Sequence, residues 1–476
     1  MSPDEAAPVG LPRPTTRYRL LKRLALAAVI VLGGVGVTMA IGAVVVVVAM
    51  RWRHVAATRR VEAEVSRVRS AGEPLTTKDL YAYHEKRAGA ADSTPLWLAA
   101  LDTFDGRQLM QDGKGLPVVG DGSVEQLGRP EGSELLAAAE ALLGKYEETL
   151  IAAHAAARAP GNCNLPVRYE DGLNADLSAV SDLRHVARLL QLELRVRTAR
   201  GDAAGALESL EAIAAAAQTQ ADRLVVVEFL VGIALSGVVF ECAEFLLAEG
   251  KLNDDQLAHL QKVVSRLDAK SDLPAALMGE RAMGYFAFYN MGTLDQEKNS
   301  RLARFNGQLI RPVDCEKYLE VLGEMVACSH EPFPAARNHA KAVDARLSAL
   351  MKSKNPLDKL SYMTTLLLAP AVPTVFDVCA RSVAHRDATI AAIAAERFRR
   401  RTSALPARID DLVPDFLQAV PQDPFDGKPL RWKVERTGLT IYSIGINDQD
   451  DGGVEGKPRP NEPDIVVRLP GPTADP

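Results

Sequence analysis

From Leu24 to Met50 the chain runs for 27 residues without a charged side chain. At about 1.5 Å per residue a helix of that length reaches about 40 Å, against a hydrocarbon core of about 30 Å, so it can cross with tilt. The block Val44–Val48 leaves no polar face, which argues against a soluble helix with one solvated side. A cleavable signal peptide carries an apolar region of only about 7–15 residues. Here the run is longer and ends in Met50-Arg51-Trp52-Arg53. The segment 24–50 therefore reads as an uncleaved transmembrane anchor behind a basic tail, 1–23. Gly34, Thr38 and Gly42 lie four apart within it, a stripe read as incidental to a glycine-rich span, with a helix-dimer face as the alternative.

The net charge of -5 hides an asymmetry. Residues 1–60 hold Arg13, Arg17, Arg19, Lys22, Arg23, Arg51, Arg53, Arg59 and Arg60 against Asp4 and Glu5, a local balance of +7 that leaves -12 for the rest. A basic collar on an apolar span, with an acidic body, makes membrane lipid the expected partner and argues against nucleic acid. Aromatics make up only 5% of the 476 residues, which suits packed helices better than a β-sandwich. Cys163, Cys242, Cys315, Cys328 and Cys379 have no metal-ligand spacing. Cys315 and Cys328, on one expected helix, would stand about 20 Å apart, beyond disulfide reach. Buried thiols are the expectation.

From Arg59 to about Arg401 the pattern is helical, and residues 51–371 read as one α-helical domain. The first helix should stop at Gly72-Glu73-Pro74; Thr76 with Asp79 and Ser93-Thr94-Pro95 read as starts. Asp105 to Gly132, with seven glycines, reads as a long surface loop, and Ser133 as the cap of a helix to about Arg158. Asn174 to about Gln220 is the clearest helical hairpin, turning at Gly201-Asp202. Its return helix of small residues, Ala203–Ile213, resembles the second helix of a tetratricopeptide repeat, so the body is expected to be repeat-like. Leu224–Phe240 is apolar but short and carries Glu228, which would cost about 2.5–3.5 kcal/mol near a bilayer centre; a core helix is expected. Asn253 with Gln256 should cap the next helix, and Asp272-Pro274 should open another, rich in Met278, Met283, Tyr285, Phe286 and Phe288. Pro356, Pro370 and Pro373 break the pattern before a last long helix, about Thr374 to Arg401, whose basic end is read as a solvated face.

The period then changes from 3.6 to 2. Leu430, Trp432 and Val434 alternate with Arg431, Lys433 and Glu435; Leu439–Ile444 returns, and Ile465–Leu469 is a third strand. The expected unit, residues 372–470, is a long helix on a small three-stranded antiparallel sheet, with 471–476 a tail. The fold class is mainly α: a transmembrane helix, a helical bundle and this α+β unit.

The same region carries a signature: Leu405-Pro406, Ile409-Asp410-Asp411-Leu412, Pro421-Gln422-Asp423-Pro424-Phe425-Asp426-Gly427-Lys428-Pro429, Tyr442-Ser443-Ile444-Gly445, Gly452-Gly453 and Asp464-Ile465. It resembles the globular domain of the major pseudopilin of type II secretion systems. That resemblance implies a calcium-binding loop, falling here on Asn447, Asp448, Asp450, Asp451 and Asp464, oxygen donors of the kind Ca²⁺ takes. A surface loop without metal is the alternative. The family's first loop aspartate falls on Asn447, and no pilin leader precedes the span, so processing and polymerisation are not expected. The stretches Ser70–Thr76 and Tyr169–Asn174 are similar to uncharacterised bacterial single-pass envelope proteins. Together these imply an inner-membrane, single-pass protein with its C-terminal part outside the cytoplasm, and secretion or pilus components as possible partners.

No phosphate loop, nucleophile elbow or zincin helix is legible. His84-Glu85 has no second histidine four residues on, His330 and His339 have no ligand partners in sequence, and Asp410-Asp411 point apart on a short helix. The expectation is a non-enzymatic protein with no small-molecule substrate and no cofactor besides calcium. An independent helical adaptor is the alternative, and a motif-poor hydrolase a remote one.

Overall fold

A computed structural model describes residues 16–87, 91–122, 132–174, 176, 178–221, 223–294, 301–369, 371–454 and 464–471. The basic tail before residue 16, Pro370, and the end of the C-terminal tail lie outside them. The helices are α1 (Thr16–Ser70), α2 (Thr77–Arg87), α3 (Thr94–Asp102), α4 (Gly106–Asp112), α5 (Ser133–Lys145), α6 (Glu147–Arg158), α7 (Ser178–Ala199) and α8 (Ala203–Gln218). They continue as α9 (Val226–Glu249), α10 (Asp254–Ser265), α11 (Ala269–Leu294), α12 (Arg301–Ser329), α13 (Ala335–Met351), α14 (Pro356–Ser361), α15 (Met363–Leu368) and α16 (Val372–Thr402). Strands β1 (Arg431–Glu435), β2 (Gly438–Ser443) and β3 (Ile465–Pro470) close the chain.

Among the described residues three helical stretches are long and apolar enough to cross a membrane: Val37–Ser70 in α1, Val226–Glu249, and Met363–Thr402. They differ in packing. None of the most apolar stretch of α1 is buried, against 39% in α9 and 47% in Met363–Thr402. Further along α1 the pattern becomes one-sided. Ala57, Val61, Val65 and Val68 are buried at helical spacing, and Arg60 pairs with Glu316 to pin the helix along α12. The helix ends where expected: Gly72 adopts φ 71°, and the Glu73 N–H donates back to the Val68 carbonyl at 3.2 Å. Thr76 and Asp79 exchange side-chain-to-backbone bonds at 3.2 and 2.9 Å, starting α2.

The hairpin α7–α8 forms as its periodicity implies, with Leu183, Leu190, Leu194, Leu207, Leu210 and Ile213 in one core; Asp202 caps α8 at the Gly205 N–H, 2.9 Å. α9 packs across it. Glu228 is fully buried opposite Arg223, 3.6 Å away, and Arg223 also donates to the carbonyls of Cys163, Leu165 and Thr219. The Asn253–Gln256 capping box is present in full.

Several sequence expectations need correction. The glycine-rich stretch after Asp105 is not a surface loop among its described residues. Asp105 caps α4, and Leu109, Leu116 and Val119 are buried. The glycines permit close backbone approach: a Cβ at Gly120 would lie 2.2 Å from the Gly113 carbonyl oxygen. Residues 123–131 lie outside the description. The single helix expected from Ser133 to Arg158 is broken at Tyr146, whose hydroxyl donates to Asp112 at 2.8 Å. α11 starts at Ala269, because Asp268 accepts from the Lys270 N–H, and Pro274 lies inside it. Pro356 and Pro373 open helices rather than merely ending them.

The sheet is antiparallel in the order β1-β2-β3, with Arg431 opposite Tyr442 and Ser443 opposite Ile465. It lies on α16, where Ala388, Ala391, Ala392 and Ala395 give the sheet room to approach. α16 serves both regions. Val375, Phe376 and Cys379 pack with α12 and α13, Ile393 joins the α7–α9 core, and Ala380 and Ala384 meet Phe425 and Ile444. The expected boundary at 371/372 coincides with the helix start, but apolar packing runs straight across it.

The basic end of α16 is not simply solvated. Arg397 meets Asp254, Arg399 and Arg400 meet Glu396, and Arg401 meets Asp415.

Candidate functional site

The signature segment folds into a tight turn. The Asp423 N–H donates to the Lys428 carbonyl at 2.7 Å and the Gly427 N–H to the Asp423 carbonyl at 2.8 Å. The Asp423 carboxylate, fully buried, accepts from the Phe425 N–H (3.0 Å), the Ser443 hydroxyl (2.8 Å), the Ile444 N–H (3.0 Å) and Arg431 Nη1 (2.7 Å). A single side chain thus ties turn to sheet. Burial still pushes Asp423 above the ordinary aspartate value, although these donors oppose it. Gly427 sits at φ 73° with Pro334 Cδ 3.2 Å from where a Cβ would stand, so the turn rests on the start of α13. Ile409, Leu412 and Leu430 fill the space under the sheet, and the Trp432 indole donates to the Pro406 carbonyl at 3.2 Å. The signature residues are largely structural.

The acidic loop follows β2. Four of its five candidate residues lie near one another, bound to backbone and to each other. Asn447 donates to Asp451 at 2.8 Å. Asp450 accepts from the Tyr442 hydroxyl at 3.1 Å and the Gly452 N–H at 3.0 Å. Asp464, buried at the start of β3, accepts from the N–H groups of Asp451 (3.2 Å) and Gly453 (2.6 Å). Burial, with Asp450 and Asp451 nearby, pushes Asp464 above the ordinary aspartate value. Asp448 is turned away. It has φ 59°, and its carboxylate meets Arg337 and Lys341 of α13, the latter at 2.6 Å. Among the described residues no group of three or more His, Cys, Asp or Glu is placed to hold a metal ion. The donor chemistry of Asp450, Asp451 and Asp464 suits a hard cation, whereas Asp448 is already matched by two cations of the protein.

Arg337 is the residue that sequence reasoning missed. It is 1% exposed, on α13, and its guanidinium bonds Asp377 of α16, Asp448, and the Ile446 carbonyl at 3.0 Å. It also lies 4.6 Å from the centre of the Phe425 ring. One buried cation therefore latches helical body, long helix, signature turn and acidic loop together. An arginine in an alanine-rich helix gives no local sign of that role.

The cysteines are unpaired. Cys242, Cys315, Cys328 and Cys379 are buried, as expected, whereas Cys163 is half-buried. Burial pushes Cys163 up to about 11 and both Cys315 and Cys328 up to about 12, which leaves little thiolate at neutral pH. His339 is paired with Glu324 and Glu331, which raise its value. A cleft of about 610 Å³ opens between α10, α16 and residues 414–421, with Asp387 and Arg397 on its wall; Arg397 stacks on Phe416 and bonds Asp254. Comparison with protein-family models, curated proteins and solved structures finds no match to this chain.

Proposed function

We propose that the protein is a single-pass, membrane-anchored envelope protein of the bacterial inner membrane, with its C-terminal part outside the cytoplasm. It acts by binding other proteins rather than by catalysis. The observation that carries this reading is the fully exposed apolar stretch of α1, continuous with a helix packed into a large folded body. The long helix α16 beneath an antiparallel three-stranded sheet supports kinship of the C-terminal unit with type II secretion pseudopilins. Secretion or pilus components are the partners this reading favours, and calcium the one ligand, at Asn447, Asp450, Asp451 and Asp464. Protease added to spheroplasts, followed by detection of the C-terminus, tests the reading. Cleavage without lysis is the expected result, and full protection overturns the topology. Co-purification from detergent that recovers no secretion or pilus component removes the partner assignment.

A second reading, of a helical adaptor whose C-terminal unit is a stabilising cap, draws on a specific observation. Asp423, Phe425 and Gly427 face inward to the sheet and to α13 instead of presenting a surface to a partner. Substitutions in the acidic loop, at the half-buried Asn447 and the exposed Asp451, separate the two. They abolish partner capture under the first reading and leave it intact under the second.

A further inference from the structure

We infer that helices α14 and α15 form a second lipid-contact surface, a foot that rests on the same membrane leaflet from which α1 emerges. The proposal rests on the reading of α1 as the anchor. Its position comes from one contact: Arg53 Nη2 donates to the Tyr362 hydroxyl, between α14 and α15, at 2.8 Å, with the guanidinium 5.7 Å from the ring centre. Arg53 is three residues past Met50, where the uncharged run ends. Less than one helical turn, about 5.4 Å of rise, therefore separates Tyr362 from the level at which α1 enters lipid. Tyr362 and Trp52, the latter 74% exposed, stand where aromatic side chains collect at the boundary between headgroups and acyl chains.

The chemistry of the foot fits that level. Met363 is 63% exposed, Leu367 71%, Leu360 48% and Met351, at the end of α13, 45%. Among the described residues nothing covers them, although they are among the most exposed large apolar side chains outside α1. Their outward aim is built in. Asp314 of α12 accepts from the N–H groups of Thr364 (2.8 Å) and Thr365 (3.0 Å) and from the Thr365 hydroxyl (2.7 Å). That clamp turns Thr365 inward, fully buried, and residues two positions either side of it on a helix, Met363 and Leu367, face the opposite way. Lys352, Lys354 and Lys359 are exposed around the apolar patch, an arrangement that suits anionic headgroups. Because α12 is also pinned to α1 through Arg60 and Glu316, the patch is held at a fixed height relative to the anchor.

The test uses full-length protein in nanodiscs containing anionic lipid, with Cys163→Ser to remove the half-buried thiol. A nitroxide is placed in turn at Leu367→Cys, Val46→Cys and Ile151→Cys. Collision with oxygen, which concentrates in lipid, is compared with collision with a water-soluble nickel chelate. The oxygen-to-nickel ratio at position 367 is expected to exceed that at position 151, an exposed site on α6, by at least threefold and to approach that at position 46. A ratio at 367 equal to that at 151 overturns the foot. Low collision with both reagents at 367 also overturns it, because a protein surface, such as a second copy, then covers the patch. Water-like behaviour at 46 marks failure of the anchor reading itself, whereas a lipid-like 46 with a water-like 367 removes only the foot.

Discussion

The α7–α8 hairpin and the C-terminal unit each bury carboxylates, and they treat them in opposite ways. In the hairpin Glu193 accepts from His154 and Ser209, both at 2.8 Å, and pairs with Arg197 at 2.8 Å. Burial raises its value, but these partners more than offset that, and Glu193 lies below the ordinary glutamate range. In the C-terminal unit Asp464 rests on backbone N–H groups beside two further carboxylates, and it is raised. Asp423, with one cation and three neutral donors, is raised as well. In the hairpin a histidine, a hydroxyl and an arginine one turn along the same helix hold the buried charge, whereas Asp464, satisfied by backbone N–H groups beside like charges, is shifted toward protonation. Glu193 is thus fully matched within the helical body. Within the acidic loop Asp448 is matched by Arg337 and Lys341, whereas Asp464 lies beside Asp450 and Asp451.

The largest break in this comparison is expected at Asp423. Asp423→Ala leaves the buried Phe425 and Ile444 N–H groups and the Ser443 hydroxyl without their acceptor and strips the turn from the sheet, while Arg431 keeps Asp426 at 2.7 Å, so a loss of about 3 kcal/mol is expected in urea denaturation. A loss below about 1 kcal/mol would show that the turn holds without it. Arg337→Ala is expected to cost about 2–3 kcal/mol, less than a fully enclosed pair because Asp377 and Asp448 can rehydrate. Limited proteolysis should then cut between α16 and β1 while the α7–α9 core survives. If the C-terminal unit stays as resistant as in the unaltered protein, the latch is dispensable.

The smallest effects sharpen the comparison through pH. Glu193, lowered on folding, contributes stability that is present above the ordinary glutamate range and is lost as pH falls through its folded value. Glu193→Gln should cost about 1 kcal/mol at neutral pH and flatten the acid limb of the Tm profile. Asp464, raised on folding, contributes stability that is full below the ordinary aspartate range and is lost as pH rises through its folded value. Asp464→Asn should therefore flatten the limb just above that range. Calcium added to the unaltered protein should raise Tm there and should fail to do so in Asp464→Asn; equal shifts in both would place any calcium elsewhere.

How far each element was legible follows from how local its causes are. The end of α1 at Gly72, the Thr76–Asp79 and Asn253–Gln256 caps and the hairpin α7–α8 depend on residues three or four apart, and periodicity located them. The strands were equally plain, since alternation needs only neighbours. The stretch after Asp105 misled because glycine marks both open loops and close backbone packing, and only tertiary contacts distinguish them. Of the candidate calcium residues, Asp448 was misplaced for the same reason: its partners Arg337 and Lys341 lie more than a hundred residues earlier.

The sequence by itself determined an uncharged run long enough to span lipid, a mainly helical body and a closing antiparallel sheet, because hydropathy and period are properties of adjacent residues. Hydropathy alone favours α9, at 2.0 against 1.5 for the stretch in α1, and only the charge of Glu228 argued for a core helix there. The tertiary structure packs α9 across the hairpin and leaves the apolar stretch of α1 bare. It also decided where the buried charges go, with Glu228 opposite Arg223 and Arg337 between Asp377 and Asp448. For Arg337 the cost of dehydrating a charge is met by partners that folding brings from distant parts of the chain.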